Sequence, residues 1–193
     1  MLEGGVDSVL ALDASPQMIE TTCSADGRIQ GIVGDAERLP LASGSVDVVT
    51  CRLAAHHFPA PEQFIAEVAR VLEANGLFVF EDTVGPDDAE VREFLEHIET
   101  VRDPTHVASQ PVDQWREWID AAGLRVEQCQ RFAKRIPFEA WMAAQSVPTD
   151  RRETIESALQ SATPLETETL GIERSAEGVE AISLPKVLLG TRR

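Results

Sequence analysis

A chain of 193 residues, 43% apolar and 26% charged, has room for one domain of ordinary size and is too apolar for a disordered polymer. Its net charge of −16 would repel nucleic acid and anionic lipid, which are held through clusters of Lys and Arg, so neither is an expected partner. No window approaches the roughly eighteen uninterrupted apolar residues of a membrane helix, and Met1 to Val6 has no secretory signal character, which predicts a cytoplasmic protein.

Lys134 and Lys186 are the only lysines, against fifteen arginines. This acidic, lysine-poor balance is the kind a salt-rich cytoplasm favours, a halophilic expectation that an unfolding midpoint insensitive to concentrated KCl would contradict. Cys23, Cys51 and Cys129 are odd in number, far apart and not in Cys-x-x-Cys spacing. They are expected to be reduced, partly buried thiols rather than a disulfide framework or a zinc site.

The predicted elements alternate. Val6 to Leu12 is a β-leaning run, and Ser15-Pro16 supplies an N-cap followed by proline at the first helical position. Ile29 to Val33 is the next strand, followed by the loop Gly34 to Pro40 and a turn at Ser43-Gly44-Ser45. Val46 to Cys51 is near-continuously apolar, the type expected to be buried on both faces of a parallel sheet. From Pro61, the residues Phe64, Ile65, Val68, Val71 and Leu72 mark one helical face, closed by Asn75-Gly76, and Leu77 to Phe80 is a strand ending at Glu81-Asp82.

Beyond Gly85 the rhythm changes. A helix through Val91, Phe94, Leu95 and Ile98 leads to the polar connection Arg102 to Pro111, then to a helix carrying Trp115, Trp118 and Ile119 that stops at Ala122-Gly123. Leu124 to Phe132 reads as a strand. Short helices follow around Phe138, Trp141 and Met142 and around Ile155 and Leu159, with Ser161 to Glu168 read as a polar, low-complexity stretch. The C-terminus predicts two antiparallel strands, Leu170 to Arg174 and Glu180 to Leu189, joined through Ala176-Glu177-Gly178. The fold class is therefore α/β: a Rossmann-like, doubly wound, mostly parallel sheet with antiparallel C-terminal strands.

In such sheets the ligand lies outside the carboxyl ends of the strands, so the polar residues after each apolar run are the candidates. Asp13 could accept hydrogen bonds from both hydroxyls of a ribose, or it could simply close an Asx-turn before Ser15. Asp35, in Gly34-Asp35-Ala36, could read an adenine edge. His56 and His57 are the histidines at this lip and could orient or deprotonate a substrate group. Alternatively, His57-Phe58 packs beneath the following helix while His56 bonds to backbone. Glu81 and Asp82 either face the substrate or are solvated strand ends, and the tryptophans with Phe138 read first as core, second as pocket walls.

The segments Val9-Leu-Ala-Leu-Asp13-Ala-Ser-Pro-Gln-Met18, Gly34-Asp35-Ala36-Glu37-Arg38-Leu-Pro40, Val49-Thr-Cys-Arg52-Leu-Ala-Ala-His56-His57-Phe58 and Glu67-Val-Ala-Arg-Val-Leu72 resemble class I S-adenosylmethionine-dependent methyltransferases. The nearest resemblance is to the small-molecule type related to ubiquinone and menaquinone biosynthesis. It extends to the C-terminus through Arg102-Asp-Pro-Thr-His106, Trp115 and Pro185-Lys186-Val-Leu-Leu189. The resemblance implies S-adenosyl-L-methionine as cofactor and methyl transfer to a small-molecule acceptor. By position, Asp13 resembles the ribose-binding acid with Ala14 beside it, and Met18 the residue packing near the adenine. Asp35 and Ala36 resemble the adenine-edge readers, and Arg52 and Leu53 flank the methionine part. His56 and His57 are the catalytic candidates, and Arg102 to Gln110 is a lid by resemblance. One domain is implied over 1–193, with 1–85 as the cofactor half and 86–193 as the acceptor side.

The family's first strand and its glycine-rich loop have no counterpart here: Met1 to Gly5 matches only the end of the first crossover helix. Losing two or three cofactor hydrogen bonds, at about 1 to 1.5 kcal/mol each, would weaken cofactor binding by about two to three decades. An open gap in mid-sheet is costlier still, so three arrangements are expected to compete. The true N-terminus lies upstream, the flanking strands pair directly, or a homodimer or another chain supplies the missing strand. A non-catalytic, partner-dependent remnant is therefore the alternative reading, and a nicotinamide-binding oxidoreductase a distant third.

Overall fold

The computed structural model describes Val6 and residues 8–193, so the reading of Met1 to Gly5 as a helix end lies outside the described residues. The chain opens with β1 (Val9–Asp13), α1 (Pro16–Ala25) and β2 (Ile29–Val33), and the two strands pair in parallel. The Ser15 hydroxyl accepts the Met18 N–H at 3.4 Å, and Pro16 begins the helix where a missing N–H costs nothing. α1 lies on β2 because residue 31 is glycine: a Cβ there would run into Ile19 and come within 2.7 Å of Cys23 Sγ.

A loop with a 3₁₀ turn at Ala36–Arg38 leads to β3 (Val46–Arg52), followed by α2 (Pro61–Val71) and β4 (Leu72–Thr83). The loop is bound to α2 by Arg70, which donates to the Leu39 and Leu41 carbonyls at 2.9 and 2.7 Å. Leu72, expected as the last apolar helical residue, instead begins β4. Its N–H closes the helix on Val68, but its own backbone is extended. The pairing runs Val46 with Leu72 and then Val48 with Leu77, so the expected stop at Asn75-Gly76 is a bulge in the strand, with Asn75 in the left-handed region at φ 67°.

The second half contains α3 (Ala89–Arg102), α4 (Val112–Ala121), β5 (Arg125–Pro137), α5 (Phe138–Ala143), α6 (Thr149–Ser161), α7 (Pro164–Thr169), β6 (Glu173–Ser175) and β7 (Gly178–Arg192). α7 occupies the stretch expected to be low-complexity. Thr163 and Glu166 form a reciprocal capping box that starts it. β5 and β7 outrun the predicted strands because they pair with each other along nearly their whole length.

The described strands form two sheets: β1–β2, and β3–β4–β7–β5 with β6 on β7. β3 and β4 are parallel, whereas every pairing of β7 is antiparallel. β1 and β3 are not neighbours, so direct pairing of the two flanking strands is not the solution adopted, and each has one edge without a strand among the described residues. β3 is accordingly not buried on both faces: none of its residues is fully buried, and Val48 is 52% exposed on the edge strand.

Two apolar clusters hold the rest. Phe64, Ile65 and Val68 of α2 and Trp115 and Ile119 of α4 pack on Phe78, Phe80, Val187 and Leu189 of the sheet. Leu95 and Ile98 of α3, Phe138 and Trp141 of α5, and Ile155 and Leu159 of α6 pack on Ile182 and Leu184. Each such side chain contributes about 1.5–3 kcal/mol on burial. By contrast, α1 contains no fully buried residue, and Leu10, Met18 and Val33 around it are 44%, 52% and 54% exposed.

Candidate active site

Asp13 and Asp35 follow adjacent parallel strands, and the Gly34 N–H donates to the Asp13 carbonyl at 3.0 Å, so the two carboxylates share one lip. One oxygen of each is engaged locally. Asp13 Oδ1 accepts the Ser15 N–H at 2.8 Å, and Asp35 Oδ1 accepts the Glu37 N–H at 2.8 Å. The Asx-turn reading of Asp13 therefore holds for Oδ1, while Oδ2 of both acids has no side-chain or backbone partner among the described residues. Ala14 and Met18 are exposed beside them, and Ala36 packs against the first core cluster.

The second lip lies at the ends of β3 and β4. Leu53 takes φ 53°, a left-handed conformation costly for a side chain with a Cβ, and its N–H bonds the Glu81 carbonyl at 2.9 Å. That turn aims the next two N–H groups at Asp82: Ala54 and Ala55 donate to Oδ2 at 3.1 and 2.8 Å, and Thr83 N–H donates to Oδ1 at 2.7 Å. Asp82 is fully buried. His56 Nδ1 lies 2.7 Å from Asp82 Oδ1. With three main-chain donors converging on its two oxygens, the carboxylate acts as acceptor, so Nδ1–H donates to it, and in the neutral ring the lone pair then lies on Nε2. Asp82 also raises the neighbouring Cys51 thiol, which burial first and this charge second push up to about 12.

His57 stacks on His56 with ring centres 4.2 Å apart, and its Nδ1 donates to the Thr105 carbonyl at 2.9 Å. Phe58 packs edge-on against Phe64 of α2. The expectation that His56 would bond to backbone is corrected: its partner is the Asp82 carboxylate, because the Leu53 turn brings the ring over the β4 end. The connection 103–111 lies against this lip. Val107 and Ala108 donate to the His56 carbonyl at 2.8 and 3.2 Å, and Glu96 accepts from His106 Nε2 and Ser109 N–H, both at 2.7 Å. Asp103 accepts from the Thr105 backbone and hydroxyl. Burial pushes its carboxyl up, but these bonds and the His57 and Arg102 charges hold it below the usual Asp value.

These pieces enclose a cavity of about 220 Å³, lined by Leu53, His56, His57 and Thr83 on one side and by residues of α3, the 103–111 connection, α5, β5 and β7 on the other. Both lysines and three of the four histidines of the chain line it. Arg102 pairs with Glu99 at 2.8 Å at its rim. Arg52 does not line the cavity: it points outward, 67% exposed, in a surface pair with Glu81 at 3.2 Å. No lining residue comes from β1, α1 or β2, so the candidates divide into an Asp13–Asp35 lip and a His56 cavity.

Asp82, Glu99, Arg102, Thr83, Lys134 and Lys186 are the site residues that spacing did not single out as a group. The count of two lysines is the one compositional signal among them, and it marks only Lys134 and Lys186.

The methyltransferase-domain family model matches residues 1–80. The uncharacterized methyltransferase YcgJ of Bacillus subtilis is 31% identical over 179 residues, covering 90% of this chain and 70% of that protein. Its crystal structure superposes with a TM-score of 0.93 over 97% of this chain and 83% of that one. The crystal structure of BH2331 from Bacillus halodurans is 26% identical with a TM-score of 0.92 over 97% of this chain and 83% of that one. YafE of Escherichia coli is 29% identical over 162 residues, 81% of this chain and 78% of that protein.

Proposed function

This chain belongs to the class I S-adenosylmethionine-dependent methyltransferases, and from that membership we propose that residues 1–85 bind S-adenosyl-L-methionine while the His56 cavity holds a small-molecule methyl acceptor. The bond from His56, which lines that cavity, to the buried Asp82 carboxylate behind it is the observation that carries this reading.

The cofactor, when bound, supplies an electrophilic methyl group on a sulfonium. The adenosine half fits the residues present. The unengaged Oδ2 atoms of Asp13 and Asp35 are acceptors for ribose hydroxyls and for an adenine edge, with Ala14, Met18 and Ala36 around them. For the methionine half the fit rests on Leu53 alone among the described residues, since Arg52 is turned to Glu81. On the acceptor side, Asp82 is a positioning residue: it fixes the His56 ring and the tautomer that leaves Nε2 free to take a proton from an acceptor hydroxyl, thiol or acidic carbon. His57 walls the cavity and buttresses the His56 ring. Walls drawn from Leu53, Ile136, Trp141 and Leu184 exclude water and hold the acceptor in line, and such alignment is worth roughly 7–11 kcal/mol when geometry is good.

Calorimetric titration with S-adenosylmethionine and S-adenosylhomocysteine tests this reading. Saturable binding is expected, weakened about tenfold by Asp13→Asn through one lost charge-assisted bond. A folded chain that binds neither would favour a second reading, supported by the edges of β1 and β3 that no strand covers among the described residues and by the exposure of Leu10, Val33 and Val48. In that reading a strand from another chain, or from a second copy, completes the sheet. It predicts cofactor binding that appears only with association in light scattering.

A further inference from the structure

Lys134 and Lys186 are 52 positions apart, yet the antiparallel register of β5 and β7 sets Phe132 against Lys186 and Lys134 against Leu184. Directly opposed residues share a face, so both lysines project from one face of the ladder as diagonal neighbours, and both line the cavity. In a chain with 33 acidic side chains, neither makes a salt bridge among the described residues. Lys186 is 4% exposed, and its ammonium has one hydrogen bond, to Thr83 Oγ1 at 2.9 Å, for three N–H donors.

A buried ammonium without a carboxylate is expensive, and proteins normally pair it or replace it with an apolar residue. The cavity's arginine obeys that rule: Arg102 is paired with Glu99 at 2.8 Å. Two further wall residues have unsatisfied polar atoms, the Trp141 Nε1–H donor and the Ser109 hydroxyl. The cavity groups left short of bonded partners among the described residues are therefore two ammonium groups and hydrogen-bond donors, and what answers them is an oxygen anion. Burial holds the Lys186 ammonium below the usual lysine range; the Asp82, Glu81 and Glu99 charges pull it back up without bonding it, and Lys134 adds to the depression.

We propose that the methyl acceptor is an amphiphilic anion whose carboxylate or phosphate is held between Lys186 and Lys134, with its apolar body against Trp141, Ile136 and Leu184. This assignment rests on the methyltransferase reading for the word acceptor, though not for the anion site itself. The anionic end then fixes which atom of the acceptor faces His56.

With only two lysines, protein labelled with carbon-13 at lysine Cε gives two resonances, assigned through Lys134→Met and Lys186→Met. The probes are sodium benzoate, phenyl phosphate and neutral benzamide, with S-adenosylmethionine binding measured on the same sample by calorimetry. Saturable shifts of both resonances are expected with benzoate or phenyl phosphate but not benzamide, with a rise in the pH at which Lys186 titrates. At least a tenfold loss of affinity is expected in Lys186→Met. The tighter of the two anions identifies carboxylate or phosphate as the group recognised. Shifts as large with benzamide, no shift with either anion, or wild-type benzoate affinity in folded Lys186→Met would each overturn the proposal. Anion binding by a chain that does not bind the cofactor would support the anion site and count against the methyltransferase reading. Cofactor binding without anion binding would overturn the anion site alone.

Discussion

Replacing Asp82 with asparagine keeps the shape of the side chain and removes one acceptor. The carboxylate accepts four hydrogen bonds, from Ala54, Ala55 and Thr83 N–H and from His56 Nδ1, at 2.7 to 3.1 Å, with no exposure to water. An asparagine oxygen directed at Ala54 and Ala55 leaves its NH₂ facing the Thr83 N–H, donor against donor, and facing His56 Nδ1. The ring can answer only by moving its proton to Nε2. One buried N–H without a partner costs about 1–3 kcal/mol, and the two surviving bonds lose their charge assistance, so a loss of about 2–4 kcal/mol is expected. That is a large share of the roughly 5–15 kcal/mol of a domain. Urea unfolding followed by tryptophan fluorescence measures it as a fall in midpoint at constant slope. In an assay of methyl transfer, the proton on Nε2 removes the base, and a fall of roughly 10²–10⁴ in kcat with little change in cofactor affinity is expected. A variant within 0.5 kcal/mol of wild type, as surface substitutions usually are, with an unchanged pH profile would refute the assignment.

Three further outcomes are expected. Lys186→Met should raise stability at neutral pH, because it removes a desolvated ammonium. The wild-type protein should gain stability as pH climbs from the depressed Lys186 pKa toward the ordinary 10.5, where the unfolded chain holds the proton longer, and the variant should lack this rise in urea midpoints. Asp103→Asn should cost about 1–3 kcal/mol near neutrality by weakening the Thr105 and Gln145 bonds. Because the Asp103 carboxyl titrates below its ordinary 3.8, that difference should shrink as the pH is lowered from 3.8 through its folded value, measured by thermal melts at stepped acid pH. Gly31→Ala should part α1 from β2, where a Cβ collides with Ile19, and hydrogen exchange should report faster opening of β1 and β2 with β4 and β7 unchanged.

Much of the strand and helix order was legible from periodicity, since the elements from α1 to β4 and the hairpin of β6 and β7 each bury or cap by local rules. What escaped depends on long-range register. Glu81 and Asp82 are adjacent acids, and only the alternation of β4 sends one outward to Arg52 and the other under the Leu53 turn. Lys134 and Lys186 meet because β5 and β7 pair over thirteen and fifteen residues, lengths that the apolar pattern did not mark. The helix α7 lies in a stretch whose polar composition masks it, although Thr163-Pro-Leu-Glu166 carries the capping-box spacing that starts it. The expected full burial of β3 failed for a topological reason: among the described residues the strand is an edge, and apolar composition does not reveal which strand lies beside it.

The proposed division of the site into an Asp13–Asp35 lip for the cofactor and a His56 cavity for the acceptor is tested most directly by hydrogen exchange with and without S-adenosylhomocysteine. Protection is expected at Asp13 to Met18, Gly34 to Arg38 and the Leu53 to His57 turn, with α6 and α7 unchanged. Protection confined to the second half of the chain, or none at the ends of β1 and β2 under saturating ligand, would contradict it.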